Sequence, residues 1–312
     1  MCLIFVPFLT RAHKKMPHTA RVISRRNLFK AALRGGIGVS ALSLGTVAYA
    51  TEIERRWFDF SRYDVVLPHL PAVFEGFRLV HLTDLHVECE TMRDNLASVC
   101  EQISALSPDA VVVTGDFFNV SATAKSSATL REGFARLKAK DGIWGVLGNH
   151  DIGHEQPKRR ALAQTAIRDA GIGLLVNEIH TIRRENQTLT LAGFDDFWHG
   201  DVQIEALAAQ IAPGSAAIAL GHEPDFASEV ARTGKFGLML AGHSHGGQIC
   251  WPGGRPIMTP PHGEKFPSGW YRVPDENGGQ MQLLTNRGLG TTALDVRFFC
   301  RPEVAILTLR CA

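Results

Sequence analysis

The chain has 312 residues, of which 45% are hydrophobic and 21% are charged, and its formal net charge is +2. This composition excludes a disordered chain, a fibrous chain and a polytopic membrane protein. A net charge so close to zero gives no reason to expect nucleic acid as a partner, so a globular enzyme or binding domain is left.

The basic residues are concentrated at the N-terminus. The first fifty residues carry eight basic and no acidic side chains, so the rest of the chain has a formal charge of −6. Residues 24–30 read Ser-Arg-Arg-Asn-Leu-Phe-Lys, and an uncharged stretch from Gly35 to Ala50 ends in Ala-Tyr-Ala. A paired arginine, a short apolar run and a small-x-small motif are the three parts of a bacterial export signal.

We therefore predict that residues 1–50 are a twin-arginine signal peptide, cleaved after Ala50. The twin-arginine (Tat) machinery would export the chain to the periplasm or cell envelope. The alternative is an uncleaved leader that anchors the protein and holds it at the membrane surface. The apolar stretch is shorter than the ~20 residues that a spanning helix needs, which favours the cleaved signal.

Five cysteines follow the leader, and their number and spacing do not indicate a disulfide framework. They are Cys89, Cys100, Cys250, Cys300 and Cys311. We expect buried free thiols for most of them, with one unassigned bridge left open.

After the leader, short apolar runs alternate with amphipathic segments. The runs have the length of buried strands. They lie at Phe77–Leu82, Ala110–Thr114, Gly142–Leu147, Leu189–Ala192, Ala216–Leu220 and Leu238–Ala241. Two further candidate strands, Met281–Thr285 and Val304–Leu309, follow in a β-rich C-terminal stretch.

Helices are predicted between these strands. Leu96, Val99 and Ile103 follow the 3.6-residue period, and Thr91 with Asp94 forms a capping-box pattern at the start of this helix. Other apolar sets at helical spacing are Leu130, Phe134 and Leu137; Leu162, Ala166 and Ala170; Ile204, Leu207 and Ile211; and Phe226 with Val230. This alternation predicts an α/β layered core, and no break in composition divides residues 51–312, which we treat as one domain.

Polar side chains of the same few types follow five of the strands. Their motifs are Asp84-x-His86, Gly115-Asp116, Gly148-Asn149-His150-Asp151, Gly221-His222 and Gly242-His243-Ser244-His245. Each motif alone is typical of a turn, a cap or a structural histidine. As an ordered set they indicate a metal centre, because seven Asp, His and Asn donors suffice for two divalent cations that share a bridging carboxylate. Nitrogen and oxygen ligands without Cys favour Mn, Fe, Zn, Co or Ni over Ca.

The five motifs, intact and in this order, resemble the calcineurin-like metallophosphoesterase superfamily over Phe77–Leu309. The resemblance implies a four-layered α-β-β-α sandwich around a two-metal site. The leader, the Gly-His-Ser-His-Gly-Gly-Gln run and the segments Asn286–Gly290 and Arg301–Glu303 resemble an exported or membrane-associated bacterial phosphodiesterase subgroup. Relatives of that subgroup include UDP-2,3-diacylglucosamine pyrophosphohydrolases of lipid A synthesis.

The resemblance also implies roles for individual residues. The metal ligands would be Asp84, His86 and His245 for one ion, Asn149, His222 and His243 for the other, and Asp116 as the bridge. His150 would stabilise charge at phosphorus or protonate the leaving oxygen without being a ligand. Asp151 is expected to orient that imidazole, with a turn carboxylate as the alternative. As cofactor we expect two divalent metal ions, manganese first.

Three functions compete. The first is hydrolysis of phosphodiester or phosphomonoester P–O bonds by a metal-activated hydroxide, on a small-molecule or phospholipid-like substrate. The second is a UDP-2,3-diacylglucosamine pyrophosphohydrolase-like activity. The UDP-sugar precursor on which such an enzyme acts is cytoplasmic in origin. The export signal therefore argues against this activity unless the leader is a retained anchor. The third, a non-catalytic metal-binding scaffold, is disfavoured because the ligand set is complete.

The segment from Trp251 to Tyr271 follows the last ligand motif and is expected to line the mouth of the site. Arg255 and Lys265 are its candidate substrate-binding residues, because cationic groups suit a phosphate. A connecting loop with ordinary surface charges is the alternative.

Overall fold

Two six-stranded sheets form the centre of the fold. A computed structural model describes residues 45–154, 156–276 and 278–312, and the twin-arginine motif lies outside these residues. The strands are β1 (Asp59–Val66), β2 (Arg78–Leu82), β3 (Ala110–Thr114), β4 (Ile143–Val146), β5 (Gly173–Leu174), β6 (Glu178–Arg184), β7 (Gln187–Gly193), β8 (Ala216–Leu220), β9 (Leu238–Ala241), β10 (Gly269–Pro274), β11 (Gln280–Thr285) and β12 (Glu303–Arg310). The first sheet has the order β1-β12-β2-β3-β4-β5 and the second the order β10-β11-β9-β8-β7-β6.

Both sheets are mixed, with parallel strands at their centres. Strands β2, β3, β4 and β5 run parallel in the first sheet, as do β7, β8, β9 and β11 in the second. A parallel strand that is covered on both faces requires a nearly continuous run of apolar residues. The Ala-Val-Val-Val-Thr sequence of β3 and the Ala-Ala-Ile-Ala-Leu sequence of β8 meet this need, and every residue of both strands is buried.

The helices cover the outer faces of the sheets. They are α1 (Glu90–Ala105), α2 (Ala124–Phe134), α3 (Asn149–Ile152), α4 (Pro157–Asp169), α5 (Ile204–Gln210) and α6 (Ala227–Arg232). The apolar stripe of α1 packs with those of α2 and α4 against the first sheet. Leu207 of α5 and Val230 of α6 pack against the second sheet, around Met239. A third cluster, with Leu79, Leu191 and others, fills the space between the sheets.

This arrangement is helix–sheet–sheet–helix, so the predicted α/β fold class and its four layers are confirmed. Each predicted strand and each predicted helix is present to within a few residues. Residues Val47–Ala312 form one compact unit. No helix within residues 45–312, apart from the undescribed positions 155 and 277, is long and apolar enough to cross a bilayer.

The capping box predicted at the start of α1 is wrong. Cys89 is the N-cap and provides no side-chain cap, while Thr91 already lies inside the helix. The cap comes from a distant carboxylate, because Asp295 accepts the backbone N–H of Glu90 at 3.1 Å and the hydroxyl of Thr91 at 3.1 Å. A tertiary contact has replaced the local motif.

The segment around the predicted cleavage point is helical and packs onto the domain. Tyr49–Ile53 and Glu54–Arg56 form two consecutive helical turns. Ala50 is buried, and its carbonyl accepts the backbone N–H of Arg297 at 3.2 Å. The carboxylate of Glu54 accepts the N–H of Cys300 at 2.6 Å, and Arg55 pairs with Asp295. These residues are therefore integrated into the folded unit.

Candidate active site

Each predicted metal ligand lies just after a strand, at the edge where the carboxyl ends of the parallel strands meet. Open α/β sheets bind small molecules at this edge. Asp84 and His86 follow β2, Asp116 follows β3, Asn149 follows β4, His222 follows β8, and His243 and His245 follow β9. Because β2–β4 belong to the first sheet and β8–β9 to the second, the site joins the two sheets.

One group of donors comprises Asp84, His86 and His245. Their donor atoms all lie within 4.8 Å of one another, and the three side chains are buried. His245 Nε2 lies 3.3 Å from Asp84 Oδ1 and 3.2 Å from His86 Nε2. A carboxylate oxygen and two imidazole nitrogens that face one another at these distances can enclose one cation.

The second group comprises Asp116, His222 and His243, whose donor atoms also lie within 4.8 Å of one another. His222 donates its Nδ1–H to the carbonyl of Thr114 at 2.6 Å, and His243 donates its Nε2–H to the carbonyl of Pro261 at 2.8 Å. These bonds fix the tautomers, so that His222 Nε2 and His243 Nδ1 keep their lone pairs for a cation.

Asp116 lies between the two groups. Its Oδ2 is 3.6 Å from Nε2 of His86 and 3.1 Å from Nε2 of His222, so one oxygen reaches a member of each group. Its Oδ1 accepts the backbone N–H of His150 at 2.9 Å. This is the position that a bridging carboxylate requires.

The hydrogen bonding of the site supports a fit to two cations. Among the described residues, Asp84 Oδ1 and Asn149 Oδ1 are buried and have no hydrogen-bond donor. Oxygens of this kind accept bonds but cannot donate them, and leaving them buried without a partner costs free energy. A bound divalent cation supplies the missing positive partner, so the donor set fits the two metal ions expected from the sequence.

Burial sets the protonation of most of these imidazoles. Burial lowers the pKa of His86 to about 3, and burial followed by the charge of His222 lowers the pKa of His243 to about 3. Burial also places the pKa of His245 well below its usual value. All three rings are thus neutral near pH 7, which is the form that binds a metal.

His222 and Asp116 behave differently because they face each other. Burial acts to lower the pKa of His222, but the charges of Asp116 and Asp84 outweigh it and raise that pKa well above the usual value. Burial acts to raise the pKa of Asp116, but His222 and His150 hold it well below. A cation at this position would take the place of the proton on His222.

The backbone of the ligand loops is unusual. Five ligand residues have positive φ angles: Asp84 (51°), His86 (42°), Asp116 (54°), His243 (68°) and His245 (51°). Each such residue costs of order 1–3 kcal/mol, and strain of this kind is concentrated at functional sites. Gly148 and Gly242 permit the close packing, because a Cβ at these positions would lie 2.3 Å from Asp116 Oδ1 and 2.4 Å from Asp84 Oδ2.

His150 lines the same cavity as Asp116 and Asn149, as its predicted role requires. Its Nδ1 donates to the carbonyl of Asn119 at 2.6 Å, which leaves Nε2 as its second nitrogen for chemistry. Arg159 also donates to the Asn119 carbonyl, at 3.2 Å, and to the carbonyl of His150 itself. No sequence pattern indicates Asn119, because a backbone carbonyl can belong to any residue type.

The orienting role predicted for Asp151 is corrected by these contacts. Its carboxylate accepts the backbone N–H groups of Gly148 at 3.0 Å, Phe118 at 3.0 Å and Phe117 at 3.3 Å. Asp151 therefore braces the loops that carry Asp116 and Asn149, and the carbonyl of Asn119 orients His150. The alternative interpretation, a turn carboxylate, agrees with these contacts.

The cavity over the site has a volume of about 560 Å³ and a largely apolar mouth. Its lining includes the large apolar side chains of Ile257, Met258, Leu294 and Trp198. Trp198 follows strand β7, just as the metal ligands follow their strands. The sequence did not indicate it as a site residue, because an indole is not a metal ligand. The segment after Trp251 does contribute to the mouth, through apolar side chains.

Neither Arg255 nor Lys265 lines this cavity, so their predicted role in substrate binding is not supported. Arg255 lies in a tight turn, where its carbonyl accepts the N–H of Trp251 at 2.9 Å, and it is exposed. Lys265 donates to the hydroxyl of Ser228 at 2.6 Å and lies over the ring of Phe266. The turn at Arg255 and the local contacts of Lys265 thus keep both side chains out of the cavity.

A family model for calcineurin-like phosphoesterases matches residues 77–247, the part of the chain that carries all five motifs. The chain belongs to the calcineurin-like phosphoesterase family. It is therefore a hydrolase that acts on phosphoester bonds, and its two ligand groups are consistent with the two-metal site of the family.

Relatives that match most of the chain carry related names. The chain is 29% identical to the uncharacterized metallophosphoesterase YkuE of Bacillus subtilis, over 92% of this chain and 98% of that protein. It is 28% identical to the phosphodiesterase YaeI of Escherichia coli, over 92% of this chain and 100% of that protein. It is also 27% identical to the UDP-2,3-diacylglucosamine pyrophosphatase LpxG of Chlamydia muridarum, over 84% of this chain and 92% of that protein.

The shared position of Asp116 leads to a prediction about metal content. Asp116→Ala should lose both ions, because each ligand group loses the carboxylate that it shares with the other. Asp94→Ala, on the exposed side of α1, is the matched control and should keep both ions. Elemental analysis after desalting measures the result. Retention of one tightly held ion by Asp116→Ala would refute the bridge.

Proposed function

We propose that this phosphoesterase hydrolyses phosphodiesters, with His150 as the group that protonates the leaving oxygen. The observation that carries the proposal is the placement of His150, which lines the cavity beside both ligand groups while the Asn119 carbonyl holds its Nδ1. Two divalent ions, when bound, supply Lewis acidity that polarises the phosphoryl group and acidifies a water. Manganese suits the nitrogen and oxygen donors, with iron, zinc, cobalt and nickel as alternatives.

The chain's own residues then divide the remaining work. In its imidazolium form, His150 keeps one proton on the Asn119 carbonyl and presents the other, on Nε2, to the cavity. That proton stabilises charge at phosphorus and passes to the departing alkoxide. Asp151 keeps the loops on either side in register through its three backbone contacts. Arg159 steadies the carbonyls on which His150 depends.

His150→Ala should therefore retain both metal ions and lose about 10²–10⁴-fold in turnover, the usual contribution of a general acid. The measurement combines elemental analysis with hydrolysis of a dialkyl phosphodiester after reconstitution with Mn²⁺, because its alkoxide leaving group requires a proton. His154→Ala, at a nearby exposed position, is the matched control and should keep its turnover. A fully active His150→Ala enzyme would remove this residue from the chemistry.

A second candidate substrate is a phosphoester that carries a hydrocarbon chain. The mouth of the cavity favours it, because Ile257, Met258 and Leu294 line the mouth and are 54%, 78% and 61% exposed. Large apolar side chains that surround a site in this way are typical of surfaces that bind apolar ligands. The pyrophosphatase named among the relatives acts on a diacylated sugar nucleotide, which has chains of this kind.

The test uses p-nitrophenyl alkyl phosphates of increasing chain length. For the unmodified enzyme, kcat/KM should rise with chain length, since each buried methylene contributes ~0.8 kcal/mol. Met258→Glu and Leu294→Glu should flatten this rise, whereas Leu162→Glu, at an exposed position on α4, should preserve it. Equal kcat/KM for all chain lengths in the unmodified enzyme would exclude an apolar subsite.

For localisation, we propose export by the Tat route with the leader retained as a membrane anchor. The twin-arginine motif supports export, and the burial of Ala50 supports retention, because proteases cut exposed, mobile backbone. The Ala50 carbonyl is also bonded to Arg297, so cleavage after Ala50 would require this segment to detach.

Cell fractionation with N-terminal sequencing tests this proposal. The exported chain should stay in the membrane fraction with the residues before Ala50 still attached. Arg25→Lys with Arg26→Lys should prevent export while leaving the folded domain unchanged. A soluble product that begins at Thr51 would show that the leader is cleaved, as the sequence alone predicts.

A further inference from the structure

Two buried cysteines lie directly behind the turn that carries a metal ligand. The turn is His245–Gly247. The thiol of Cys250 donates to the carbonyl of Gly246 at 3.1 Å, and the thiol of Cys300 reaches the same carbonyl at 3.5 Å and that of His245 at 3.2 Å. Both sulfurs therefore lie against the carbonyl of Gly246. They are 1% and 3% exposed.

The backbone holds these cysteines on adjacent segments. Ile249 and Phe298 form a parallel β-bridge, in which Cys250 donates its N–H to the Phe298 carbonyl at 2.8 Å and Phe298 donates to Gln248 at 3.1 Å. Cys250 and Cys300 follow this bridge by one and two residues. Because Cys300 is one residue out of register with Cys250, their Cα atoms are separated by a diagonal of about 6 Å, from ≈ 4.8 Å between adjacent segments and ≈ 3.3 Å along them. This falls within the Cα separation of about 4.4–6.8 Å that a disulfide spans.

We propose that Cys250 and Cys300 are a redox pair that closes to a disulfide in the presence of a thiol–disulfide oxidant. One cysteine thiolate attacks a sulfur of a small disulfide such as oxidised glutathione and releases one glutathione thiolate. The second cysteine then attacks the protein sulfur of the mixed disulfide and releases the other glutathione. Two electrons pass to the oxidant, and the two cysteine protons end on the two released thiols.

The remaining cysteines are placed elsewhere, so the pairing is specific. Cys100 lies inside α1, in the cluster that faces the first sheet, and Cys89 precedes that helix. Cys311 is at the C-terminus beside Glu75. The oxidant can gain access through the turn that follows Cys250, where Trp251 is 60% exposed, because a local opening of that turn uncovers both sulfurs.

Closure of the pair would act on the metal site through the backbone. It would join the segment after His245 to the segment that contains Arg297, which donates to the carbonyls of Gly288 at 3.1 Å and Gly290 at 2.6 Å. Gly288 packs against Asp84, so both ends of this connection lead to ligands of the same ion. The disulfide would restrict opening of the His245 turn and slow the loss of that ion.

The first measurement is mass spectrometry of the full chain after treatment with oxidised glutathione, denaturation and alkylation. The peptides of Cys250 and Cys300 should appear as one linked species, two hydrogen masses lighter than the pair, while Cys89, Cys100 and Cys311 are alkylated. In Cys250→Ser, Cys300 should be alkylated or carry glutathione. Full alkylation of both cysteines in the treated wild-type protein, or a link to a different cysteine, would overturn the proposal.

The second measurement follows release of Mn²⁺ to a chelator, with and without dithiothreitol. Oxidised wild-type protein should release metal several-fold more slowly than the same protein after reduction, a comparison that needs no variant. Dithiothreitol should make no difference to Cys250→Ser and should keep its full effect in the control Cys311→Ser. Equal release rates for linked and reduced wild-type protein would refute the effect on the metal site.

Discussion

The organisation of the site depends on one buried carboxylate. Asp116 is 1% exposed and lies between imidazoles of both ligand groups. A charge in such a place costs several kcal/mol unless a partner of opposite charge is close. In the protein alone that partner is His222, whose raised pKa reflects the same pairing. Two divalent cations would supply positive charge on both sides of the carboxylate.

The rest of the fold serves to hold this carboxylate and its neighbours in place. Parallel strands of two sheets deliver their ends to one edge, so residues more than a hundred positions apart can share a cation. Carbonyl groups then fix the rings: Thr114 holds His222, Pro261 holds His243 and Asn119 holds His150. The strained φ angles of the ligands persist because these contacts and the packed glycines over-determine the loops.

Much of this could be predicted from sequence because it depends on local patterns. Buried parallel strands are continuous apolar runs, as in β3 and β8, and ligands that follow strands form short motifs. Strands β6 and β10 were not predicted, because they lie at sheet edges and mix charged with apolar residues. The contacts of Asp151 and the cap of α1 could not be predicted either, since their partners come from distant loops.

Several contacts connect the site to its surroundings. An apolar mouth lies over a polar floor, and the turn that carries His245 rests on two thiols. The helical turns that contain Ala50 and Glu54 contact the segment Arg297–Cys300. The segment that contains Ala50, the two cysteines and the turn that carries His245 thus share one set of contacts.

The most direct test of the two-metal site is anomalous diffraction from crystals grown with Mn²⁺. We expect two peaks, one among Asp84, His86 and His245 and the other among Asn149, His222 and His243, with the Asp116 carboxylate between them. A single peak, or peaks that lie away from these side chains, would contradict the account.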